Sequence, residues 1–131
     1  MKLLLDTCTF IWYITDDKHL PQSLKKMISL PDHDVYLSAV SIWEIVVKQQ
    51  LGKIKLPNAA GPVATFIAAQ REAHGIESMP LNETDITFLE KLPKNHRDPY
   101  DRMLICQALQ NDATIVTPDD AIHSYPVKVM W

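Results

Sequence analysis

Glycine is scarce in this chain, with three residues in a total of 131. The sequence therefore has no glycine-rich loop of the kind that wraps around nucleotide phosphates. The GxSxG pattern of the serine-hydrolase nucleophile elbow is absent as well. These two absences exclude nucleotide hydrolysis of the P-loop type and serine-hydrolase chemistry.

Cysteine is equally scarce, and the histidines show no paired spacing. Cys8 and Cys106 lie in predicted helices and form no CxxC or Cys/His pattern. We interpret them as buried thiols in a reducing compartment. The five histidines include no HExxH motif, so a zinc site is not expected.

The chain also lacks a strong excess of charge and a long apolar run. Its formal net charge is −3, so a nucleic-acid partner would have to meet local positive patches or a metal rather than a global basic field. No stretch approaches the ~18 apolar residues of a membrane span. Asp6 interrupts the apolar start, and no small-residue cleavage site follows it. We expect one cytoplasmic domain over residues 1–131, with no membrane segment.

Short apolar runs alternate with amphipathic segments, which predicts an α/β fold. Strands are predicted at residues 2–5, 35–38, 76–81, 113–117 and 127–131. Helices are predicted at residues 8–14, 22–30, 42–51, 62–75, 82–92 and 100–111, with a loop at 56–62 and a turn at 118–125. We expect a central parallel sheet of four to five strands with helices on both faces. Pro80 favours an edge position for the third strand.

The helix predicted at residues 42–51 has the clearest start signal. Ser41 and Glu44 have the spacing of a capping box, and Gly52 follows the helix. Glu44 could therefore have only a capping role at the start of the helix, or it could form an ion pair with Lys48 four residues later. Its position near the core boundary also fits a carboxylate that needs a metal as its partner.

Acidic residues follow two predicted strands and open a helix. Asp6 follows the first strand, Asp119 follows TIVT, and Asp101 opens the helix at 100–111. Carboxyl ends of parallel strands converge on one edge of a sheet, where ligands bind. Carboxylates gathered there repel one another unless a cation lies between them, and oxygen ligands suit Mg²⁺ or Mn²⁺. Each acid could instead simply cap the helix that follows it.

The polar segment KNHRDPYD adds a second acid, Asp98, three residues before Asp101. The helix dipole favours acids in a first turn, so one of the two needs no catalytic reason. We interpret both as candidate metal ligands. Arg97 and Arg102 are candidates for contacting a phosphate backbone, and Lys48 is a further one. A charged, solvated loop is the alternative.

Four segments of the chain resemble the PIN domain of VapC-type toxin ribonucleases. They are LLLDT, LSAVSIWEIVVKQQLGKIKLP, HRDPYDRMLICQAL and TIVTPDDAI, and in that order they cover essentially the whole chain. The third is the most specific, because it is similar to a PIN subgroup with an HRDP-aromatic-DR signature. The resemblance implies an Mg²⁺- or Mn²⁺-dependent endoribonuclease that hydrolyses RNA. It also implies the toxin of a toxin–antitoxin pair, usually a homodimer inhibited by a small cognate antitoxin.

Carried over position by position, the resemblance implies catalytic and metal-binding roles for four acids: Asp6, Glu44, Asp101 and Asp119. Asp98 is the additional acid of the subgroup, and which of Asp98 and Asp101 lies closer to the ion stays open. Thr7 matches the small or hydroxyl residue after the first acid. It is expected to hydrogen-bond a metal ligand or the scissile phosphate.

Other functions remain open from the sequence. The same acids could serve a stand-alone nuclease or phosphatase acting on DNA or other phosphate esters, and a non-catalytic binding module could use them as caps and ion pairs. If RNA is the substrate, single strands or loops are expected, because reading bases needs them splayed out. We interpret Trp12, Tyr13, Trp43 and Trp131 as core or interface residues rather than base-stacking platforms. The first helix and residues 42–47 are candidate association surfaces.

Overall fold

A computed structural model describes residues 1–56 and 61–131. The predicted loop at 56–62 therefore falls largely outside the described residues. The strands are β1 (Lys2–Leu5), β2 (Asp34–Ser38), β3 (Glu77–Met79), β4 (Thr114–Val116) and β5 (Val129–Met130). The helices are α1 (Thr7–Thr15), α2 (Gln22–Ser29), α3 (Ala39–Gln50), α4 (Val63–Ala73), α5 (Glu83–Ile86), α6 (Pro99–Asn111) and α7 (Asp120–His123), with a 3₁₀ helix at Leu89–Lys91.

The five strands form one parallel sheet in the order β3-β2-β1-β4-β5. The central strand β1 pairs with β2 on one side and β4 on the other, with Leu3 opposite both Val35 and Thr114. The predicted α/β fold with a central parallel sheet is confirmed. The predicted edge strand is β3, which pairs with β2 alone among the described residues.

Alternate residues of the sheet belong to two separate apolar cores. Leu3 and Leu5 pack with Phe10 of α1 in one core, whereas Leu4 packs with Leu104 of α6 in the other. All three β1 leucines are fully buried. Helices therefore cover both faces of the sheet, which explains why β1 is apolar without alternation.

The start of α3 differs from the predicted capping box. The helix begins at Ala39, and its N-cap is Ser38, whose hydroxyl accepts a hydrogen bond from the Val40 N–H at 2.9 Å. Ser41 lies inside the helix and is buried. The assignment of Ser41 and Glu44 to a capping box is therefore wrong, and Glu44 lies in the second turn of the helix.

Several other predicted elements are shorter than expected, among them the strand predicted at 76–81, which is limited to Glu77–Met79. The helix predicted at 82–92 divides into α5 and the 3₁₀ helix, and the Thr87 hydroxyl donates to the Thr84 carbonyl near the break. Such local side-chain bonds compete with a continuous helix. The final strand is limited to Val129–Met130.

Among the helices described, none is both long and apolar enough to cross a membrane.

Candidate active site

A cavity of about 220 Å³ opens at the carboxyl edge of the sheet. Its lining side chains are Asp6, Thr7, Cys8, Glu44, Lys48, Asp98, Asp101 and Asp119. The structure thus places all five acids predicted from the sequence in one cavity, together with Thr7 and Lys48. Their roles stay predictions, but their shared location is a property of the fold.

The strand order explains how acids from opposite ends of the chain meet. Asp6 directly follows β1, and Asp119 lies three residues after the end of β4, the strand next to β1. The chain continues from β1 to β2 on one side of the sheet and later returns to β4 on the other side. The cavity therefore lies where the strand order reverses, which is where open parallel sheets bind ligands.

Three of the acids cap a helix and also line the cavity. Asp6 accepts from the Thr9 N–H at 2.8 Å, Asp98 from the Tyr100 N–H at 2.8 Å and Asp119 from the Ala121 N–H at 2.9 Å. Capping and site formation, which the sequence left as alternatives, therefore occur together. One carboxylate oxygen is enough for the cap, and a carboxylate has a second oxygen for other partners.

Asp6 is further oriented by a residue that the sequence analysis missed. Its side chain is buried, and its second oxygen accepts a hydrogen bond from the Thr117 hydroxyl at the end of β4. Thr117 precedes Asp119 by two residues, and its hydroxyl also accepts from the Asp119 N–H at 3.0 Å. The sequence signal for Thr117 was its position, because this hydroxyl residue directly follows a buried strand and precedes Asp119.

Glu44 is buried in α3 and is held by two side chains. The Thr7 hydroxyl donates to one of its oxygens, and the Lys48 ammonium group contacts the other. Burial lowers the pKa of Lys48, but the hydrogen bond and charge of Glu44, with the nearby Asp98 and Asp101, outweigh it and raise the pKa above its usual value. Lys48 therefore carries a positive charge at neutral pH.

Among the acids of the site, Asp101 has the clearest pKa shift. Burial raises its pKa to about 7, and the charges of Asp98, Glu44 and Asp119 act in the same direction. A hydrogen bond with His96 opposes this rise, with the imidazole Nε2 2.8 Å from the carboxylate. Such a raised pKa is expected where acids are crowded together in a poorly hydrated place.

His96 is the second residue that the sequence analysis did not assign to the site. Its Nε2 lies 2.8 Å from Asp101 and 3.8 Å from Asp119, so the imidazole bridges two acids. Within the described ranges, the candidate metal-ligand atoms that lie within 4.8 Å of one another belong to His96, Asp98 and Asp101. The search of the sequence for paired histidines did not identify His96, because its partners are carboxylates.

The two arginines proposed to contact substrate lie outside the cavity lining. Arg97 is exposed next to His96, whereas Arg102 is half-buried in α6. The Nε atom of Arg102 is buried and has no hydrogen-bond partner among the described residues. Arg97 is thus the more accessible of the two for a phosphate backbone.

Cys8 lines the cavity but is not an activated thiol. Burial and the negative charge of Asp6 raise its pKa far above the usual value for cysteine. The thiolate is the nucleophile and the metal ligand in cysteine chemistry. In the absence of a cation, Cys8 therefore stays protonated at neutral pH and is not an activated nucleophile.

Solved structures with the same fold include chains from several toxin–antitoxin complexes. VapBC2 of Rickettsia felis, bound to a DNA fragment from its promoter, matches with a TM-score of 0.70 and 12% identity over 99% of this chain and 98% of that chain. DNA-bound VapBC of Salmonella typhimurium gives a TM-score of 0.66 at 15% identity, over 99% and 97% of the two chains. VapBC-1 of nontypeable Haemophilus influenzae gives 0.62 at 18% identity, over 99% and 97%. At these identities the likeness establishes a shared fold.

The amino-acid sequence also matches a protein-family model. The PIN-domain model matches residues 3–128, a range that includes every acid of the cavity. No curated protein is significantly similar to the chain. The resemblance inferred from the four sequence segments is confirmed, and the chain belongs to the PIN-domain family.

Proposed function

We propose that the protein is an Mg²⁺- or Mn²⁺-dependent endoribonuclease and the toxin of a toxin–antitoxin pair. The observation that supports this best is the convergence of five carboxylates, from four separate parts of the chain, on one cavity at the carboxyl edge of the sheet. Family membership adds to it, since VapC toxins with a PIN domain are nucleases.

The donor atoms of the cavity fit a hard divalent cation. Carboxylate oxygens are the ligands that Mg²⁺ and Mn²⁺ prefer, and an imidazole nitrogen beside them is compatible with Mn²⁺. Burial, together with repulsion from the neighbouring acids, raises the pKa of Asp101 to about 7, and a cation among the acids would relieve the repulsion. The residues that would hold the ion are Asp6, Glu44, Asp101 and Asp119, with Asp98 as a further candidate. When bound, such an ion lowers the pKa of an attacking water and stabilises the leaving oxygen of a phosphodiester.

The remaining side chains of the site orient the acids and balance their charge. Thr117 holds Asp6, Thr7 holds Glu44 and His96 holds Asp101. Partners of this kind fix ligand geometry and are often worth about 10- to 100-fold in metal affinity or activity. Lys48 offsets the charge of Glu44 and lines the cavity, where its ammonium group would also attract a substrate phosphate.

The proposed substrate is tested by comparing nucleic acids and small phosphate esters. Purified protein is incubated with single-stranded RNA, duplex RNA, single-stranded DNA and a chromogenic phosphate monoester, with Mn²⁺ or with a chelator. We expect Mn²⁺-dependent cleavage of single-stranded RNA. Cleavage of DNA or of the monoester without cleavage of RNA would contradict the ribonuclease assignment. Failure to cleave any substrate would favour the non-catalytic binding module.

Replacement of Asp6 distinguishes a metal ligand from a helix cap. Asparagine keeps a capping oxygen but removes the charge, and alanine removes both. We expect Asp6→Asn to lower activity by more than about 100-fold, since even residues that orient a ligand contribute about 10- to 100-fold. Its melting temperature should stay close to that of the wild type, whereas Asp6→Ala should also lose about 1 kcal/mol of stability. An active Asp6→Asn variant would contradict the proposed site.

The proposed partners follow from the family and its structural neighbours. Those neighbours are VapBC complexes, so we propose a small cognate antitoxin and a homodimer for this chain. The cytoplasmic location expected from the sequence stays a prediction. Co-expression with the product of the neighbouring open reading frame, followed by size-exclusion chromatography with light scattering, tests both partners. A monomer that co-purifies with no second protein and is not toxic on expression would contradict them.

A further inference from the structure

An exposed tryptophan lies beside the acidic cavity. Trp43 is 54% exposed, which is unusually open for an indole, and its ring contacts Tyr100 edge-on with centroids 4.8 Å apart. Trp43 directly precedes Glu44, and Tyr100 directly precedes Asp101. The aromatic pair formed by Trp43 and Tyr100 therefore joins the two helices that carry these acids.

The aromatic pair is continuous with the cavity through Lys48. The ammonium nitrogen of Lys48 lies 5.9 Å from the centre of the Tyr100 ring, a distance typical of a cation–π contact. The same lysine lines the cavity and contacts Glu44. A ligand whose phosphate contacts Lys48 would therefore also lie close to the aromatic ring of Tyr100.

The slightly negative net charge of the chain favours an aromatic contact as part of the binding site for a nucleic acid. With 13 basic and 16 acidic residues, the protein has no general positive field to hold a polyanion, so local contacts must supply the binding energy. Proteins that hold single strands combine cationic contacts with aromatic side chains on which bases stack. The other two tryptophans, Trp12 and Trp131, pack against each other, with ring centroids 6.0 Å apart, and neither is adjacent in sequence to an acid of the cavity.

We propose that Trp43, supported by Tyr100, stacks on a nucleobase next to the phosphate held in the acidic cavity. This inference rests on the proposed nuclease function and deepens it, because it names the side chain that contacts a base of the single-stranded substrate. Bases inside a duplex have no free face for an aromatic side chain. It also revises the interpretation of Trp43 as a core or interface residue. Stacking tolerates every base, since each has a π-face, so weak sequence preference is expected at this position.

The test compares Trp43→Phe with Trp43→Leu, two apolar replacements of which one keeps an aromatic ring. The probe is a short single-stranded RNA that the wild type cleaves, and the same RNA with one abasic nucleotide on either side of the cleaved bond. We expect Trp43→Leu to lower kcat/KM on the intact RNA by about 5- to 100-fold, the usual worth of a base–aromatic stack. Trp43→Phe should retain most of the activity. At one abasic position the wild type and Trp43→Leu should become equal, because neither can stack there.

Several results would overturn the inference. One is equal kcat/KM for the wild type and both variants on the intact RNA. Another is a defect of Trp43→Leu that persists unchanged at every abasic position. A change in oligomeric mass for Trp43→Leu, with no change in RNA cleavage, would assign the ring to a protein contact. If the antitoxin-free wild type cleaves no RNA, although a separate binding assay shows that it still binds its antitoxin, the proposed nuclease function fails, and this inference fails with it. Melting curves check that both variants fold.

Discussion

At the scale of single residues, three acids of the cavity are oriented by a hydroxyl, ammonium or imidazole partner, and these acids are Asp6, Glu44 and Asp101. Strand-end position was enough to predict Asp6 and Asp119 from the sequence, because a short apolar strand directly precedes each of the two turns. It was not enough to predict Thr117 or His96, since their importance depends on which acids they contact. Those contacts join residues that are distant in sequence or separated by a helix start.

His96 offers a residue-scale prediction about acidity. Its hydrogen bond lowers the pKa of Asp101, so His96→Ala should raise that pKa further above about 7. Fewer Asp101 carboxylates are then ionised at neutral pH, and Mn²⁺ should bind more weakly there but recover at higher pH. Calorimetric titration with Mn²⁺ across pH measures this shift.

The exposed His74 provides the matched control, and His74→Ala should leave the Mn²⁺ titration unchanged. A pH midpoint for His96→Ala equal to or below that of the wild type would contradict the orienting role. A loss of affinity that is the same at every pH would instead indicate that His96 binds the ion directly.

At the scale of elements, the start of α3 decides where Glu44 lies. The local sequence favours Ser41 as the cap, because Glu44 three residues later completes a capping box, although Ser38 also precedes apolar residues. The tertiary structure decides in favour of Ser38, whose buried hydroxyl also contacts Gln107 of α6. Because β2 runs directly into α3, Glu44 reaches the cavity from the second helical turn rather than capping the first.

Two serine replacements test this helix start. Ser38→Ala should lower the free energy of unfolding by about 1–2 kcal/mol, because it removes the N-cap and leaves Gln107 without that partner. Ser41→Ala should be neutral or slightly stabilising, since the Ser41 hydroxyl is buried and has no hydrogen-bond partner in the described part of the chain. Urea denaturation measures both values. The reverse order of the two effects would support the capping box at Ser41.

At the scale of the whole molecule, the alternation of strands and helices predicted the parallel sheet, but not its strand order. The order depends on which strands pair across more than a hundred residues, as β1 and β4 do. Local periodicity has no information about such pairings. That pairing brings Asp6 and Asp119 to one cavity, so the site is a property of the topology as much as of the acids.

The crowded acids make global stability depend on pH and metal. The pKa of Asp101 is raised from 3.8 to about 7, so between these pH values the native state keeps a proton that the unfolded chain has lost. Stability should therefore fall as pH rises through this window. If Mn²⁺ binds the ionised native site as proposed, a hundredfold excess over Kd adds about 2.7 kcal/mol. Thermal melts should show strong Mn²⁺ stabilisation near pH 8 and little near pH 5.

Asp101→Asn isolates the contribution of this one group to the pH dependence. The variant should show a flatter decline of melting temperature between about pH 5 and pH 8, and a smaller effect of Mn²⁺. An identical slope in the wild type and the variant would mean that other groups cause the pH dependence.

Crystals grown with Mn²⁺ give the clearest test of whether the carboxylates of this cavity bind one or two divalent cations. Anomalous diffraction at the manganese edge locates the ion without reference to activity. We expect Mn²⁺ in the cavity, bound directly by Asp6 and Asp101, with Glu44 and Asp119 bound directly or through water. An empty cavity at saturating Mn²⁺, or an ion that contacts none of these four acids, would contradict this expectation.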